Sequence, residues 1–457
     1  MIPSILPEEV ESGRGANPPL GLLYLAAAVR RLGKDYIEII DAQAENPDDE
    51  SLERRIVAAK PDVVGITALS FTMPDVLVVC GMARKAGAVT VMGGPHAHIY
   101  AEETARLENA DYIIRGEGEE SFPFLLDCLR ENVPPWDVSG AVWYKNGKVC
   151  KGPDPIFLDD LDDLPHPARD LTDVNLYSSV LARTSPVTTM LTSRGCPFRC
   201  IFCDRPHLGK KFRYRSPASV VDEIEECISL GIREFLIYDD NFATNRERAM
   251  AIADEILSRN LQVIFDVRLR VSDLDEKLAT ILFRAGCERV HLGVESGDPA
   301  ILEALCKGIT VEDARRAFDT ARRVGMRTLA YFLVGSPGET PDTVARSVKL
   351  ARELRPDYVH FSLLLPFPGT ELYINGVKKG MWKNGDPWLD FAKNPRSGFT
   401  PPVWEENLSG EELLQLTIDA YRSFYRDPAY LWRRLKRVRS AGEVLRQIRT
   451  GLKILRL

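Results

Sequence analysis

Three cysteines lie within eight consecutive residues, and their spacing is the clearest chemical signal in the sequence. Cys196, Cys200 and Cys203 follow a strand-like run, VTTMLTS, in a CxxxCxxC arrangement. Three thiolates can hold an iron–sulfur cubane and leave one iron open for a further ligand. A structural zinc site would need a fourth ligand, for which His207 is a nearby candidate. The spacing therefore favours an iron–sulfur cluster, with zinc or incidental cysteines as alternatives.

The composition is that of a globular protein and excludes several other classes. Of the 457 residues, 45% are hydrophobic and 27% are charged, which argues against disorder and against a disulfide-rich miniprotein. The formal net charge of −7 argues against a general nucleic-acid binder, so no nucleic-acid partner is expected. No apolar run is long enough for a transmembrane helix, and the first residues lack the basic start of a signal peptide. We therefore expect a cytoplasmic protein, in which clustered cysteines indicate metal binding or catalysis rather than disulfides.

The first 133 residues alternate short apolar runs with amphipathic stretches, which predicts a Rossmann-like parallel sheet with helices on both faces. Such sheets bind ligands beyond the carboxyl ends of their strands. Small residues follow three predicted strands, at Ser70, at Gly93 and Gly94, and at 116–118. They allow a ligand to approach the backbone closely, although turn formation alone would also explain them. The predicted strands cover 36–42, 62–69, 89–94 and 111–119, and the helices cover 20–32, 51–60, 74–87 and 119–131.

Residues 134–185 are interpreted as a linker. They contain the run AVWYKNGKVC, which predicts a hairpin with Asn146 and Gly147 in a type I′ turn. An acidic, proline-containing run, DDLDDLPHPARD, comes after the hairpin. The domain boundary is therefore placed here, between the Rossmann-like domain and the C-terminal part of the chain.

Six further strand-like runs, separated by helical stretches, begin at about residue 186. They predict a partial (β/α) TIM-type barrel over residues 186–375, followed by a helical C-terminal extension over 376–457. Active residues in such barrels lie at the carboxyl ends of the strands. Helix capping and local ion pairing are the alternative explanations for the polar residues found there. Those strand-end candidates are Asp239, Asp240, Arg268, Arg270, Glu295, Ser296 and Gly335.

The cysteine spacing after the first barrel strand, with Phe202 just before the third cysteine, resembles the radical S-adenosylmethionine (SAM) superfamily. The resemblance implies a 4Fe–4S cluster on Cys196, Cys200 and Cys203 and a bound SAM that the cluster cleaves. It further implies which strand ends contact SAM. Asp239 and Asp240 would face the methionine amine, Arg268 and Arg270 would reach the same barrel mouth, Glu295 and Ser296 would contact the ribose and the methionine carboxylate, and Gly335 would flank the adenine.

A Rossmann-like domain ahead of such a barrel is similar to the cobalamin-dependent class of this superfamily. The resemblance implies that the nucleotide tail of cobalamin lies along Thr67, Ser70, Gly93 and Gly94. Gln43 occupies the place where corrinoid domains of the methionine synthase type carry a cobalt-ligating histidine. We therefore expect cobalamin to bind without histidine coordination.

The class implies methyl transfer to an unactivated sp3 carbon, with a non-methylating radical cyclisation, ring contraction or rearrangement as the alternative. The expected partners are a small-molecule or lipid substrate and an external one-electron reductant of the flavodoxin or ferredoxin type. No further cysteine cluster in the sequence could supply the electron internally.

The C-terminal residues predict a basic amphipathic helix that begins with Tyr430 and Trp432. Such a helix can lie on an anionic membrane, which predicts peripheral contact with the inner membrane face. The alternative is a helix that docks on the barrel with its basic face in water. We also expect an aromatic lid over the barrel mouth within 380–404. The helix stripe is Leu431, Leu435, Val438, Leu445, Ile448, Leu452 and Leu455, and the lid residues are Trp382, Trp388, Phe391, Phe399 and Trp404.

Overall fold

The first third of the chain contains one five-stranded sheet. The computed structural model describes residues 17–179, 181–203, 209–383 and 385–437. The sheet order follows the chain order. Its first three strands are parallel, and its last two form an antiparallel hairpin that pairs with the third. The strands are β1 (Val63–Thr67), β2 (Val89–Gly93), β3 (Tyr112–Ile114), β4 (Ala141–Lys145) and β5 (Lys148–Lys151).

Helices of this domain begin and end where the sequence supplies caps. Asp48 accepts a hydrogen bond from the Ser51 backbone amide at 2.7 Å, and Gly33 ends the first helix with a positive φ of 68°. The helices are α1 (Leu20–Leu32), α2 (Ala42–Glu45), α3 (Asp49–Ala59), α4 (Met73–Lys85), α5 (Pro95–Ile99), α6 (Ala101–Thr104) and α7 (Ser121–Arg130).

Two features of this domain differ from the prediction. Residues 36–42 do not form a strand in the described structure; 36–41 lack a regular backbone ladder, and α2 begins at Ala42. Ile39 and Ile40 pack in two different cores, whereas Tyr36 is 94% exposed. Side-chain packing therefore holds this segment in place without sheet pairing. In addition, the predicted hairpin pairs with β3, so the sheet continues past the expected boundary at residue 133 into the interval interpreted as a linker.

The second sheet has six parallel strands, which confirms the predicted partial barrel. Residues on alternate positions face outward and form the largest core with the surrounding helices. The strands of this half are β6 (Val187–Met190), β7 (Ser193–Arg194), β8 (Arg213–Tyr214), β9 (Glu234–Ile237), β10 (Ile264–Arg270), β11 (Cys287–Glu295), β12 (Arg327–Val334) and β13 (Tyr358–Leu363). The barrel sheet has the order β13–β12–β11–β10–β9–β6, and β7 and β8 form a separate small ladder.

The barrel helices show strong start signals. Thr310, Thr340 and Ser409 each form a capping box, in which side chain and backbone satisfy each other's hydrogen bonds. The helices are α8 (Pro217–Ser229), α9 (Arg246–Ser258), α10 (Glu276–Arg284), α11 (Pro299–Ala304), α12 (Val311–Val324), α13 (Pro341–Leu354), α14 (Glu371–Lys379), α15 (Pro387–Lys393), α16 (Gly410–Tyr425) and α17 (Pro428–Arg437).

The C-terminal region packs on both domains. Trp388 and Phe391 of α15 are buried in a core that also contains Met73 and Tyr100 of the first domain. Trp404 is buried in a second core together with Ile201, next to the cysteines, so these three rings are parts of packed cores, and an aromatic lid over the barrel mouth stays a prediction. Val438, Leu445, Ile448, Leu452 and Leu455 of the predicted stripe lie outside the described residues. Across the described ranges, no helix has the length and apolar character needed to span a bilayer.

Candidate active site

The three cysteines lie in the connection between β7 and β8. Cys200 is buried, whereas Cys196 and Cys203 are partly exposed. Gly195 starts the connection with a φ of +81°, and a Cβ there would lie 2.4 Å from the Lys211 carbonyl oxygen. Only glycine therefore fits where the chain leaves β7. Burial raises the pKa of the Cys196 thiol, so ligand binding has to stabilise its thiolate form.

Backbone hydrogen bonds hold the cysteine loop over the carboxyl end of the barrel. The Ile201 amide donates to the Leu305 carbonyl at 3.2 Å, and the Leu372 amide donates to the Ile201 carbonyl at 2.8 Å. The Ile201 side chain packs in a core with Leu305, Leu364, Leu372 and Trp404. The loop is thus fixed to segments that follow β11 and β13, the edge at which barrel enzymes place their active sites.

Asp239 anchors the start of this loop. It is fully buried, and its carboxylate accepts hydrogen bonds from the backbone amides and hydroxyls of Thr192 and Ser193, at 2.6 Å from the Thr192 amide and 2.7 Å from the Ser193 hydroxyl. Four donors occupy both oxygens, so Asp239 anchors the loop, and its contact with the methionine amine stays a prediction. Asp240 is exposed at the strand end and remains the predicted amine contact.

Arg270 links β10 to the cysteine loop. Its Nη1 lies 3.6 Å from Cys200 Sγ, its Nη2 donates to the Lys307 carbonyl, and its guanidinium covers the Phe198 ring at 3.9 Å. The Nε atom is buried without a hydrogen-bond partner among the described residues. Arg268 is two positions earlier on the same face, where it stacks on Tyr238 at 3.7 Å. Only Arg270 therefore reaches the loop, and Arg268 lies deeper in the barrel.

Glu295 lies at the end of β11 in a left-handed conformation, with φ of +67°. Its carboxylate accepts a hydrogen bond from Lys307 Nζ at 2.6 Å, and both side chains are buried. A Cβ at Gly293 would lie 2.5 Å from that carboxylate and 2.8 Å from Nζ. The glycine therefore makes room for a buried ion pair beside the cluster loop, at the position that the resemblance assigns to ribose.

Ser296 and Gly335 each have a structural role at a strand end. Ser296 is fully buried, with its hydroxyl 3.2 Å from the Ser347 hydroxyl and 3.1 Å from the Asp298 amide. It therefore joins β11 to α13, and its contact with the methionine carboxylate stays a prediction. Gly335 has φ of +97°, and a Cβ there would approach Leu413 at 3.4 Å, so the turn after β12 requires glycine.

The predicted corrinoid residues come together at the carboxyl ends of β1 and β2. Thr67 is exposed, and a Cβ at Gly94, where φ is +95°, would lie 3.0 Å from the Ala68 carbonyl and 3.2 Å from Thr67. Gly93 ends β2 opposite Thr67 in the register. Gln43 is exposed on the first turn of α2, whose cap is Asp41.

His96 lies behind this edge and is fully buried, unlike the surface position that a histidine near a glycine turn usually has. Its Nδ1 lies 3.0 Å from the Ser70 hydroxyl, and its Nε2 has no partner among the described residues. Burial lowers the pKa of His96 from 6.5 to about 4, so the ring is neutral at neutral pH.

The two domains meet through buried ion pairs at the base of the cysteine loop. Arg213 makes two hydrogen bonds of 2.8 Å to Glu117, and Arg194 lies 3.0 Å from Glu117 and 2.6 Å from Glu119. Burial alone would raise the pKa of Glu117, but the hydrogen bond from Arg213 and the charge of Arg194 outweigh it and hold that pKa below its ordinary value. We call these four residues the interdomain clamp. It joins the turn after β3 to β7 and β8.

Comparisons with known proteins agree with this arrangement. Residues 190–351 match the family model of the radical SAM superfamily, and residues 10–126 match that of the B12 binding domain. An uncharacterized methyltransferase of Pyrococcus horikoshii is 33% identical over 420 residues, which covers 91% of this chain and 89% of the relative. The chain belongs to the cobalamin-dependent radical SAM enzymes.

Two further proteins are similar to this chain. The anaerobic magnesium-protoporphyrin IX monomethyl ester cyclase of Rubrivivax gelatinosus is 28% identical, over 91% of this chain and 75% of the cyclase. The solved structure of the radical SAM methyltransferase TsrM from Kitasatospora setae, with cobalamin and a 4Fe–4S cluster bound, superposes with a TM-score of 0.66 at 24% identity. It covers 79% of this chain and 75% of that one, and it supports the fold.

The cofactors of this radical SAM enzyme are a 4Fe–4S cluster, SAM and cobalamin, and the residues present fit all three. Three thiols line one loop, whereas the described residues contain no group of three His, Cys, Asp or Glu side chains placed to hold a single metal ion. This arrangement suits a cubane, which takes one thiolate per iron. His207, the alternative zinc ligand, lies outside the described residues. The exposed strand end at Thr67 and the uncrowded Gly93, where a Cβ would meet only the Ile114 carbonyl at 4.0 Å, fit a ligand that approaches closely.

Sequence reasoning misses the interdomain clamp and Lys307. The sequence pattern of residues 116–120, GEGEE, predicts a ligand-binding turn. The signal for the clamp is the opposite charge of these glutamates and of Arg194 and Arg213, which flank the cysteine loop. Lys307 carries no motif of its own. Its contact with Glu295 depends on the turn after α11, which the sequence pattern does not specify.

Proposed function

We propose that the enzyme transfers a methyl group to an unactivated sp3 carbon of a small molecule. The observation that carries this proposal is the interdomain clamp, because it sets the strand ends of the B12-binding domain against the base of the cysteine loop. Methyl transfer of this kind needs both cofactors to reach one substrate. The methyltransferase name of the Pyrococcus horikoshii relative also favours it.

When bound, the cluster and SAM supply a radical that removes hydrogen from carbon, and cobalamin supplies the methyl group. The chain's own residues position these groups. Cys196, Cys200 and Cys203 would hold the cluster, Asp239 keeps their loop in place, and Arg270 neutralises charge beside Cys200. The Glu295–Lys307 pair presents a polar edge to SAM, and Thr67, Ser70, Gly93 and Gly94 would line the cobalamin tail.

The reaction requires an electron from outside the chain. The remaining cysteines are scattered in the sequence, and all those described are separate from the loop. We therefore propose a flavodoxin- or ferredoxin-type reductant that docks near the partly exposed Cys196 and Cys203.

The ratio of the two SAM products tests the reaction type without knowledge of the substrate's structure. The reconstituted enzyme is given SAM with a deuterated methyl group, a reductant and fractionated small-molecule extract. Methylation consumes one SAM for the radical and another for the methyl group, so S-adenosylhomocysteine and 5′-deoxyadenosine should form in equal amounts, with label in the product. Deoxyadenosine without S-adenosylhomocysteine would instead indicate cyclisation or rearrangement, the reaction class named for the cyclase relative.

We also propose peripheral membrane contact through α17. Leu431 and Trp432 are 54% and 59% exposed on this basic helix, next to the partly exposed Arg433. Exposed aromatic and aliphatic side chains beside cationic ones favour an anionic bilayer surface. The exposed pair supports this contact, and vesicle binding by variants of the pair tests it.

A further inference from the structure

The inward face of the barrel is polar. Arg268 on β10, Tyr331 on β12 and His360 on β13 occupy inward positions, with β11 between the first two strands, and all three are only partly buried. In a filled barrel, layers of branched aliphatic side chains occupy these positions. Tyr421 of α16 borders this side of the sheet, with its hydroxyl 2.6 Å from His360 Nδ1. The inward face of the barrel therefore carries hydrogen-bonding groups below the cysteine loop.

Most cations on this face already have partners. Arg289 pairs with Asp266 at 2.5 Å, Lys307 pairs with Glu295 at 2.6 Å, and Arg270 is held by the cysteine loop and a carbonyl. Arg268 differs from them: within the described residues, no carboxylate lies within ion-pair distance of its guanidinium. Its contact is the ring of Tyr238, at 3.7 Å from the guanidinium carbon to the ring centre.

Stacking on Tyr238 orients the guanidinium without using its hydrogen bonds. Burial lowers the pKa of His291 and raises the pKa of Tyr331 to about 12. The charge of Arg268 adds to the first shift and opposes the second. A partly buried guanidinium that is stacked on a ring, with neutral hydrogen-bonding side chains nearby, is suited to an oxyanion.

We propose that Arg268 binds an oxyanion of the substrate, either a carboxylate or a phosphate. Arg268 precedes Arg270 by two residues on β10, which places it about 6–7 Å deeper than the loop contact. A substrate held there by its anionic end points its remaining carbons toward the cysteine loop and the B12-binding domain. This inference rests on the proposed function, because it assigns the bound anion to the molecule that receives the methyl group.

Equilibrium dialysis of the holoenzyme tests the site without turnover. The reconstituted enzyme with cobalamin and SAM, but no reductant, is dialysed against labelled inorganic phosphate or labelled acetate. We expect about one equivalent of one anion to bind, more weakly as chloride is added. Arg268→Met should lower the affinity at least tenfold and leave SAM affinity unchanged. Arg323→Met, at a surface arginine of α12 that is 57% exposed, serves as the matched control.

Two results would overturn the inference. One is binding of neither anion above the level of Arg268→Met, and the other is an equal loss of SAM affinity in that variant, which would assign Arg268 to the SAM carboxylate. If Arg268→Met does not fold, modification of the wild-type enzyme by phenylglyoxal decides instead: the preferred anion should slow reaction at Arg268 at least tenfold, and no protection would refute the site. Anion binding without formation of S-adenosylhomocysteine on turnover would contradict the methylation proposal alone.

Discussion

Asp239 and Asp240 are adjacent in the chain, but the structure places them in different environments. The first is sealed inside and accepts four hydrogen bonds, whereas the second is exposed at the strand end. A carboxylate that already accepts four hydrogen bonds is held in place, so the structure gives Asp239 a positioning role. The pair shows why a motif identifies a strand end more reliably than it identifies the side chain that performs the contact.

The anchoring role of Asp239 predicts a loss of both stability and cluster binding on Asp239→Asn. Asparagine offers one acceptor oxygen to four buried donors, which should cost about 1.5–3 kcal/mol. We expect a lower midpoint in urea and reduced iron content after reconstitution. Asp254→Asn, at an exposed position of α9, should change neither. Normal iron content in a destabilised Asp239→Asn protein would limit the role of Asp239 to general folding.

The assignment of the 4Fe–4S cluster to the cysteine loop leads to a prediction for Cys200. Cys200→Ser should retain the fold, lose the visible absorbance of the cluster and abolish reductive cleavage of SAM. Cys150→Ser, at a partly exposed cysteine of β5 in the other domain, should retain both properties. Persistent SAM cleavage in Cys200→Ser would contradict assignment of the cluster to this loop.

Because His96 is buried, we expect the free energy of unfolding to depend on pH. Its folded-state pKa of about 4 lies below the ordinary 6.5, so the unfolded state binds more protons between these values. Stability should therefore be fully present above about pH 6.5 and fall as the pH drops toward 4, by up to about 3 kcal/mol. Urea unfolding at several pH values measures this slope, and His96→Gln should flatten it. An equally steep slope in His96→Gln would assign the effect to other groups.

At the scale of elements, the interdomain clamp couples two sheets that belong to different domains. Breaking a buried ion pair by removing one charge leaves the partner uncompensated, which costs about 3–5 kcal/mol. Glu117→Gln would remove the carboxylate that Arg194 and Arg213 share, and Glu119 would remain as a carboxylate partner of Arg194.

We therefore expect Glu117→Gln to lower the free energy of unfolding by about 3–5 kcal/mol and to loosen the domain junction. Limited proteolysis should cut within 152–186 faster than in the wild-type enzyme. Asp154→Asn removes the partner of Arg115 at a surface pair whose aspartate is 95% exposed, and it should cost less than about 1 kcal/mol. Similar effects of the two variants would show that the clamp contributes no more than a surface pair.

The sequence predicts the barrel elements well because their signals are physical and local. Apolar runs followed by capped helices recur six times, and β6 and β9–β13 all form in one parallel sheet. Residues 36–42 carry a similar apolar signal but pair with no strand in the described structure. Apolar alternation predicts burial, and whether a buried segment also pairs depends on the neighbouring strand, which a local pattern does not contain.

The same limit applies to the candidate site. The cysteine loop and Gly94 follow from spacing and backbone requirements. Ser296 and the rings of Trp388 and Trp404 do not, because their direction depends on the packing of α13 and on cores formed between distant segments. The hairpin is predictable as an element, but its pairing with β3 is not, since strand partners are set by the whole sheet.

At the scale of the whole molecule, α17 and the cysteine loop lie at opposite ends of the barrel. The Tyr430 hydroxyl donates to the Asp357 carbonyl at 3.2 Å, and Arg434 covers the Tyr358 ring at 4.7 Å, both at the amino end of β13. The loop lies over the carboxyl ends. A membrane bound through α17 would therefore anchor the enzyme while the barrel mouth faces away from it, so membrane contact does not by itself require a lipid substrate.

This geometry leads to a prediction about sedimentation with vesicles. The wild-type enzyme should co-sediment with vesicles that contain phosphatidylglycerol, and high salt should weaken binding because the cationic part of the attraction is screened. The double variant Leu431→Ser/Trp432→Ser removes two exposed apolar side chains, each worth about 1.5–3 kcal/mol on full burial, so binding should weaken at least tenfold. Phe283→Ser, at a residue of α10 that is 42% exposed, should bind as the wild type does. Equal sedimentation of the double variant, or binding that neutral vesicles reproduce, would contradict membrane contact through this helix and leave α17 as a helix docked on the barrel.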